Sequence, residues 1–344
     1  MRRAMRQYRL TPLLPHPDGN EAGAYATNGI VVVGATATGP KGCLDGKCAC
    51  YWPMEGGEPT LLHEPRSYAL GISECGDIAG TVGGEDVSQA VVWSAENGIE
   101  MQYLGTLGGR RSRSQGMSAD GHIVGNADTS HGIRRAFLWH PATVGQSARI
   151  ESLGTFGGHY SEGRCVVNGE HGLIVGGMAY TQGNRQVPFL WRDGDGAMSA
   201  IGTPGWLHGQ VECVHWSGWA VADGDDCIGH YKRAWLWNNY TQTATDITAP
   251  EAQATHAYTI AAVDGHHEMA GAVTVSGEDC HRSQHAVWWD RGLQIRTLLD
   301  VVPDAGGWTS LCRVNDFRDD GTMIGNGIHK GQHMGFVARR DGEE

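Results

Sequence analysis

The chain has 344 residues, and its 26 Lys and Arg against 38 Asp and Glu give a formal net charge of -12. That balance argues against nucleic acid as a partner, because affinity for it comes mainly from neutralising phosphates with basic side chains. No run approaches the ~20 apolar residues of a membrane-spanning helix, so no membrane partner is expected. The 52 glycines, about twice the usual share of ~7%, imply many tight turns.

The first strand-like segment is Gln7–Leu14, which has no repeat before it. The residues around it carry positive charge but no apolar core or clear cleavage site. That start reads as cytoplasmic unless a leader has been removed.

Short apolar runs ending in tryptophan then recur: Cys48–Trp52, Gln89–Trp93, Arg135–Trp139, Val187–Trp191, Arg233–Trp237 and His285–Trp289, with a degenerate Met334–Ala338. Tryptophans 41, 46, 52, 46 and 52 residues apart mark a repeat protein. Within Tyr103–Trp139, Gly, Asp and Asn turns separate three strand-like runs, Ser114–Ser118, His122–Asn126 and Ala136–His140. A fourth run, such as Ile150–Leu153, precedes the next LGT-x-GG turn. Four antiparallel strands per ~40–50 residues is the arithmetic of a propeller blade.

Inner strands near Ala24, Ser67, Ser114, Arg164, Val211, Ala257 and Leu311 define seven units. Unit seven lacks a fourth strand, and Gln7–Leu14 supplies one, which leaves no open sheet edge. The expected fold is therefore all-β: a seven-bladed β-propeller closed by an N-terminal strand, one domain over residues 1–344, and a monomer. Each repeated tryptophan is expected to seal the space between adjacent blades.

Leu104–Gly109, Gly121–Gly125 and Ala136–Trp139 resemble the HAF repeat, named for a His-Ala-Phe box. His285-Ala286 comes nearest that box, and Arg135-Ala136-Phe137 has arginine in place of histidine. The resemblance covers nearly the whole chain. It implies the repeat fold, an extracellular label that differs from the leader-based expectation, and no settled activity.

Candidate chemistry lies where the repeats disagree. After the glycine pairs the loops read Arg110-Arg111-Ser112-Arg113, His159-Tyr160-Ser161-Glu162, Trp206-Leu207-His208, Gln253–His256 and Gly307-Trp308-Thr309. Rigid scaffolds carrying varied loops are a common way to make binding sites. Aligning the inner strands on Ile72, Met117, Val166, Val214, Ile260 and Val314 puts four polar pairs side by side: Arg113/Gln115, Glu162/Arg164, Gln210/Glu212 and His256/Tyr258. Residues two apart share a strand face.

Arg113 or Arg164 would hold a ligand carboxylate or an enolate-like oxygen. Glu162, Glu212, His256 and Tyr258 are the proton-transfer candidates. Gln115, Gln210, His159, Tyr160, His208 and Trp308 complete the substrate-binding set. Arg–Glu neighbours also simply pair with each other, so two function classes stand. One is a cofactor-independent lyase, isomerase or cyclase acting on a small organic substrate. The other is a non-catalytic module binding a small ligand or protein on its rim.

Of the nine cysteines, most should be free, buried thiols in a reducing compartment. The exception is Cys43, Cys48 and Cys50, whose spacing suits a disulfide loop or a partial metal site. Cys43, Cys48 and Cys50 lack a second ligand pair for zinc. Cys227/His230 and Cys280/His281 fall in turns that suit Asp-Cys anyway. Neither a metal nor another cofactor is expected.

Overall fold

The computed structural model describes residues 7–39, 46–84, 86–94, 99–201, 206–226, 232–248, 256–264, 266, 268–276 and 282–340. Glycine and Asx turns every few residues leave room only for short strands, and apart from one 3-10 turn at Leu298–Val301 every named element among these residues is a strand. Strands adjacent in sequence pair antiparallel, so each repeat folds as a meander whose innermost strand comes first.

The fold is an all-β propeller. Its sheets do not separate into seven, as the repeat count predicts: five are four-stranded and one is eight-stranded. The fusion has a local cause. The inner strand Gly157–Gly169 is 13 residues long, and its Tyr160 forms a single parallel bridge to Arg134 in the preceding unit.

N-terminal closure is observed directly. Tyr8–Leu13 pairs antiparallel with Gln332–Arg340, with Tyr8 opposite Arg340 and Leu13 opposite Gly335. It completes the sheet whose inner strand is Trp308–Phe317.

The repeated tryptophans are buried. Their clusters draw on two successive units each: Trp52 packs with Leu13, Ile324 and Val337, and Trp191 with Val124 and Leu138. Burying one such ring is worth a few kcal/mol, at ~25 cal/mol per Å2 over ~150–250 Å2. Two of the indoles are also anchored, Trp52 Nε1 donating to the Leu14 carbonyl at 2.8 Å and Trp289 Nε1 to that of Ile247 at 3.0 Å.

Glycine in the second strand is a packing requirement. A Cβ at Gly34, Gly80, Gly125, Gly177, Gly271 or Gly325 would meet an inner-strand carbonyl, respectively of Gly23, Tyr68, Arg113, Glu162, Thr259 or Arg313, at 1.9 to 2.2 Å. No side chain fits so close to another backbone. That contact marks the same inner-strand level in six repeats.

Among the described residues no helix is long and apolar enough to cross a membrane. Cys48, Cys50, Cys75, Cys165, Cys213 and Cys312 are free thiols. Burial, and secondarily Cys48, pushes the Cys50 thiol well up; burial, then Asp316, pushes that of Cys213 up to about 12. Such thiols stay protonated and inert.

Candidate functional site: the channel network

Each inner strand skips one residue in its pairing with the second strand, and these bulges set the register. The skip nearest the end of each inner strand falls at Tyr25, Leu70, Gln115, Arg164, Glu212, Ala261 and Asn315. Earlier shifts occur in units three, four, five and seven, the last at Thr309 and Cys312. The glycine contacts place Gly23, Tyr68, Arg113, Glu162, Thr259 and Arg313 one level higher, two residues before a skip in each case. Gln210 is the counterpart in unit five, where Ala222 replaces the glycine.

This register agrees with the sequence alignment in units two to five and differs from it in units six and seven. The channel positions of unit six are Thr259 and Ala261 rather than His256 and Tyr258, whose side chains lie outside the described residues. Those of unit seven are Arg313 and Asn315 rather than Ser310 and Cys312. Val263 and Phe317, each three residues beyond the landmark chosen from sequence, occupy the true register positions. A bulge inserts a residue and breaks simple alternation, so a three-residue slip between apolar residues goes unseen.

Units three to five are joined by a hydrogen-bonded network centred on Glu162, which is buried. Oε1 accepts from Gln115 Nε2 at 3.1 Å and from an Arg164 guanidinium nitrogen at 3.2 Å. Oε2 accepts from Asn126 Nδ2 at 2.8 Å and from the Tyr160 hydroxyl. Four donors meet a carboxylate's roughly four acceptor positions. Arg164 also reaches Glu212, with Nε at 2.9 Å and a terminal nitrogen at 2.8 Å, and Gln210 donates to the other Glu212 oxygen at 2.5 Å.

Burial alone would lower the Arg164 pKa, but Glu212 and then Glu162 outweigh it and hold the guanidinium above its ordinary value. Burial, followed by the Glu162 charge and hydrogen bond, raises the Tyr160 phenol well above its ordinary value, with Arg134 opposing. Tyr160 is thus a proton donor at neutral pH.

The two arginines expected to hold a ligand differ sharply. Arg164 is locked between Glu162 and Glu212. Arg113 donates through Nε to the Ser88 hydroxyl at 3.2 Å, and among the described residues no carboxylate pairs with it. Arg113 is the arginine left for a ligand.

The remaining predicted residues scatter. His159 is exposed, its ring 4.9 Å from that of Tyr180. His208 is exposed on the strand edge opposite Asp225. Trp308 is not on the rim: it is buried against His329 and Phe336, with ring centroids at 4.9 and 5.7 Å. Sequence reasoning missed Asn126 and Arg313. The recurring second-strand glycine, counted back to the inner strand, would have flagged Arg313.

Among the described residues, no group of three or more His, Cys, Asp or Glu side chains could hold a metal ion. Cys43, Cys227, His230, Cys280 and His281 lie outside the described residues.

Beside the network, buried Asp128 sits between Arg111 Nε at 2.8 Å and Arg134 Nε at 3.3 Å. Burial alone would raise its carboxyl, but hydrogen bonds from both arginines hold it below the ordinary carboxylate value. A depressed pKa adds stability that is complete above the unfolded value of ~3.9 and disappears as pH falls through the folded one. Asp128→Asn should therefore lower the urea midpoint at pH 7, and the gap to wild type should close below about pH 4. A gap of constant size across that range would show that the carboxylate charge is not what matters.

No protein-family model matches the sequence, and no curated protein matches it. Solved structures do resemble it. The β-propeller domain of the Trilobed protease from Pyrococcus furiosus, described as having an open velcro topology, superposes with a TM-score of 0.62 at 13% identity, over 94% of this chain and 96% of that one. An oligogalacturonate lyase from Vibrio parahaemolyticus gives 0.53 at 11% identity, over 97% of each chain. An acylaminoacyl peptidase gives 0.58 at 12% identity, over 94% of this chain but 52% of that one, so the chain spans about half of that peptidase. At such identities the likeness establishes the propeller fold alone.

Proposed function

We propose that the protein is a cofactor-independent acid–base enzyme of the lyase, isomerase or cyclase type, acting on a small carboxylate-bearing substrate in the propeller channel. One observation carries this: Arg113, with no carboxylate partner among the described residues, stands one unit from buried Glu162 and the half-buried Tyr160 that donates to it. A guanidinium fork suits a substrate carboxylate, and the pair supplies a base and an acid. Oε1 of Glu162, whose two contacts are the longer ones, is the oxygen that opens to substrate.

In a β-elimination, Glu162 would take the proton from the carbon next to the bound carboxylate. The C–H electron pair would form the double bond as the β-oxygen leaves with its bonding pair. Tyr160 would protonate that oxygen and recover its proton from Glu162. Glu212 acts as a positioning residue by holding Arg164. The oligogalacturonate lyase among the structural neighbours catalyses reactions on an acidic sugar, which supports this substrate class by analogy of fold only.

The second reading, a binding module, rests on the saturation of Glu162 by four donors. A panel of short oligouronates and β-substituted carboxylates, followed by absorbance of the new conjugated double bond, separates the two. Turnover that falls about 10^2–10^4-fold in Glu162→Gln supports the enzyme. Saturable binding without turnover selects the binding module, and turnover indifferent to Glu162→Gln sinks the assigned chemistry.

We further infer that the eight-stranded sheet is two blades, which gives a seven-bladed ring, and that the repeats are of the HAF type. In support, among the described residues the buried side chains form seven clusters, and seven inner strands share the skipped residue. A reducing, cytoplasmic compartment is proposed from the free thiols, and a monomer from the closed ring.

A further inference from the structure

Arg313 occupies in unit seven the level that Arg113 occupies in unit three. Its neighbours at that level explain its condition: Thr259 in unit six has no charge, and Gly23 in unit one has no side chain. Arg313 Nε is buried and has no hydrogen-bond partner among the described residues, and none of the ion pairs described there includes Arg313. A buried guanidinium N–H without an acceptor is costly. By contrast, Arg111, Arg134, Arg164 and Arg340 all pair with carboxylates. Arg318 Nε is likewise buried without a hydrogen-bond partner among the described residues, but Arg318 lies beyond the inner strand and donates to the Thr27 carbonyl. At the channel level it is Arg113 and Arg313 that lack a carboxylate among the described residues, and the wall between them in units one and two carries Tyr25 and Tyr68 at channel positions.

We propose that the channel takes a ligand bearing two anionic groups, one held by Arg113 and the other by Arg313, across the tyrosine-bearing wall. The inference rests on the channel reading above and adds the number of charges on the substrate. A substrate with a single carboxylate would leave the second guanidinium without its oxyanion. Two separated carboxylates would satisfy both forks and fix the ligand at two points.

The test is calorimetric titration of the intact protein with linear dicarboxylates, malonate through suberate, and with monocarboxylates of matching length, at one ionic strength. At least one dicarboxylate should bind about tenfold or more tightly than its monocarboxylate counterpart, since a charged hydrogen bond is worth about that much. Arg113→Met and Arg313→Met should each bring it down to the monocarboxylate level. Arg313→Lys, which keeps the charge but loses the fork, should give an intermediate loss and covers the case in which the methionine variant does not fold.

Equal affinity for both acid classes, or dicarboxylate binding unchanged in both Arg313 variants, overturns the inference. If carboxylate binding is then still lost in Arg113→Met, the channel reading stands while this inference falls. Failure of every carboxylate to bind overturns both.

Discussion

Replacing Glu162 with alanine is expected to lower unfolding stability by about 2–4 kcal/mol, a large loss for a change that removes no apolar side chain from the core. The side chain is buried, and its removal leaves Tyr160, Asn126 and Gln115 without their acceptor. Arg164 would keep its closer partner Glu212, at 2.8 Å, but lose Glu162, at 3.2 Å. The lower end of the range allows for water entering from the channel to replace some of those bonds.

Glu162→Gln should be milder, about 1–2 kcal/mol, because the amide keeps one acceptor oxygen while turning a donor toward donors. Equilibrium urea unfolding of the two variants measures this. An alanine variant within about 0.5 kcal/mol of wild type, the scatter of ordinary surface changes, would mean that the four contacts do not hold the units together.

Removing residues 1–14 is expected to be worse still, costing about 5 kcal/mol or more from apolar burial and lost sheet pairing. Tyr8 and Leu13 are fully buried in the closing strand. Arg340 Nε donates to the Tyr8 hydroxyl at 3.0 Å while its other end pairs with Glu268 of unit six. The Leu14 carbonyl also anchors Trp52 of unit one. Truncation therefore strips the junction of units six, seven and one together, and it bares the edge of Gln332–Arg340 to other chains.

Against a typical total stability of ~5–15 kcal/mol, the truncated protein should unfold at a much lower urea concentration or associate through the bared edge on gel filtration. Tyr8→Phe, losing only the hydroxyl contact, should cost about 1 kcal/mol. The Pyrococcus furiosus domain is described as open, so a propeller need not be closed this way. A truncated protein that stays monomeric with the wild-type midpoint would show the same here.

The body of the fold was readable because its signals are local. Tryptophan late in the third strand of six units, glycine turns such as Gly105 and Gly108 or Gly154 and Gly157 before inner strands, and the orphan Gln7–Leu14 segment all lie within one repeat length, and each lands where the pattern puts it. The candidate site was readable only in part. Arg113, Gln115, Glu162, Arg164, Gln210 and Glu212 keep their predicted register because the apolar landmarks Met117, Val166 and Val214 stand at matched distances from Gly108, Gly157 and Gly205 in units three to five. In unit six, Ile260 and Val263 are both buried and apolar, so apolar character could not choose between them; the bulge does. Trp308 follows a glycine pair like the rim residues, yet its ring packs down beside Gly327 and Phe336.

The sequence by itself determined the repeat, the all-β class, the closing strand and the tryptophan-sealed contacts between units, because turn chemistry and buried aromatic area act over a few residues at a time. Only the tertiary structure decided which charges meet. Gln115 reaches Glu162 across 47 residues of chain and Arg164 reaches Glu212 across 48. Whether such side chains face each other depends on where each inner strand skips one residue, and that skip is set by the packing of neighbouring strands.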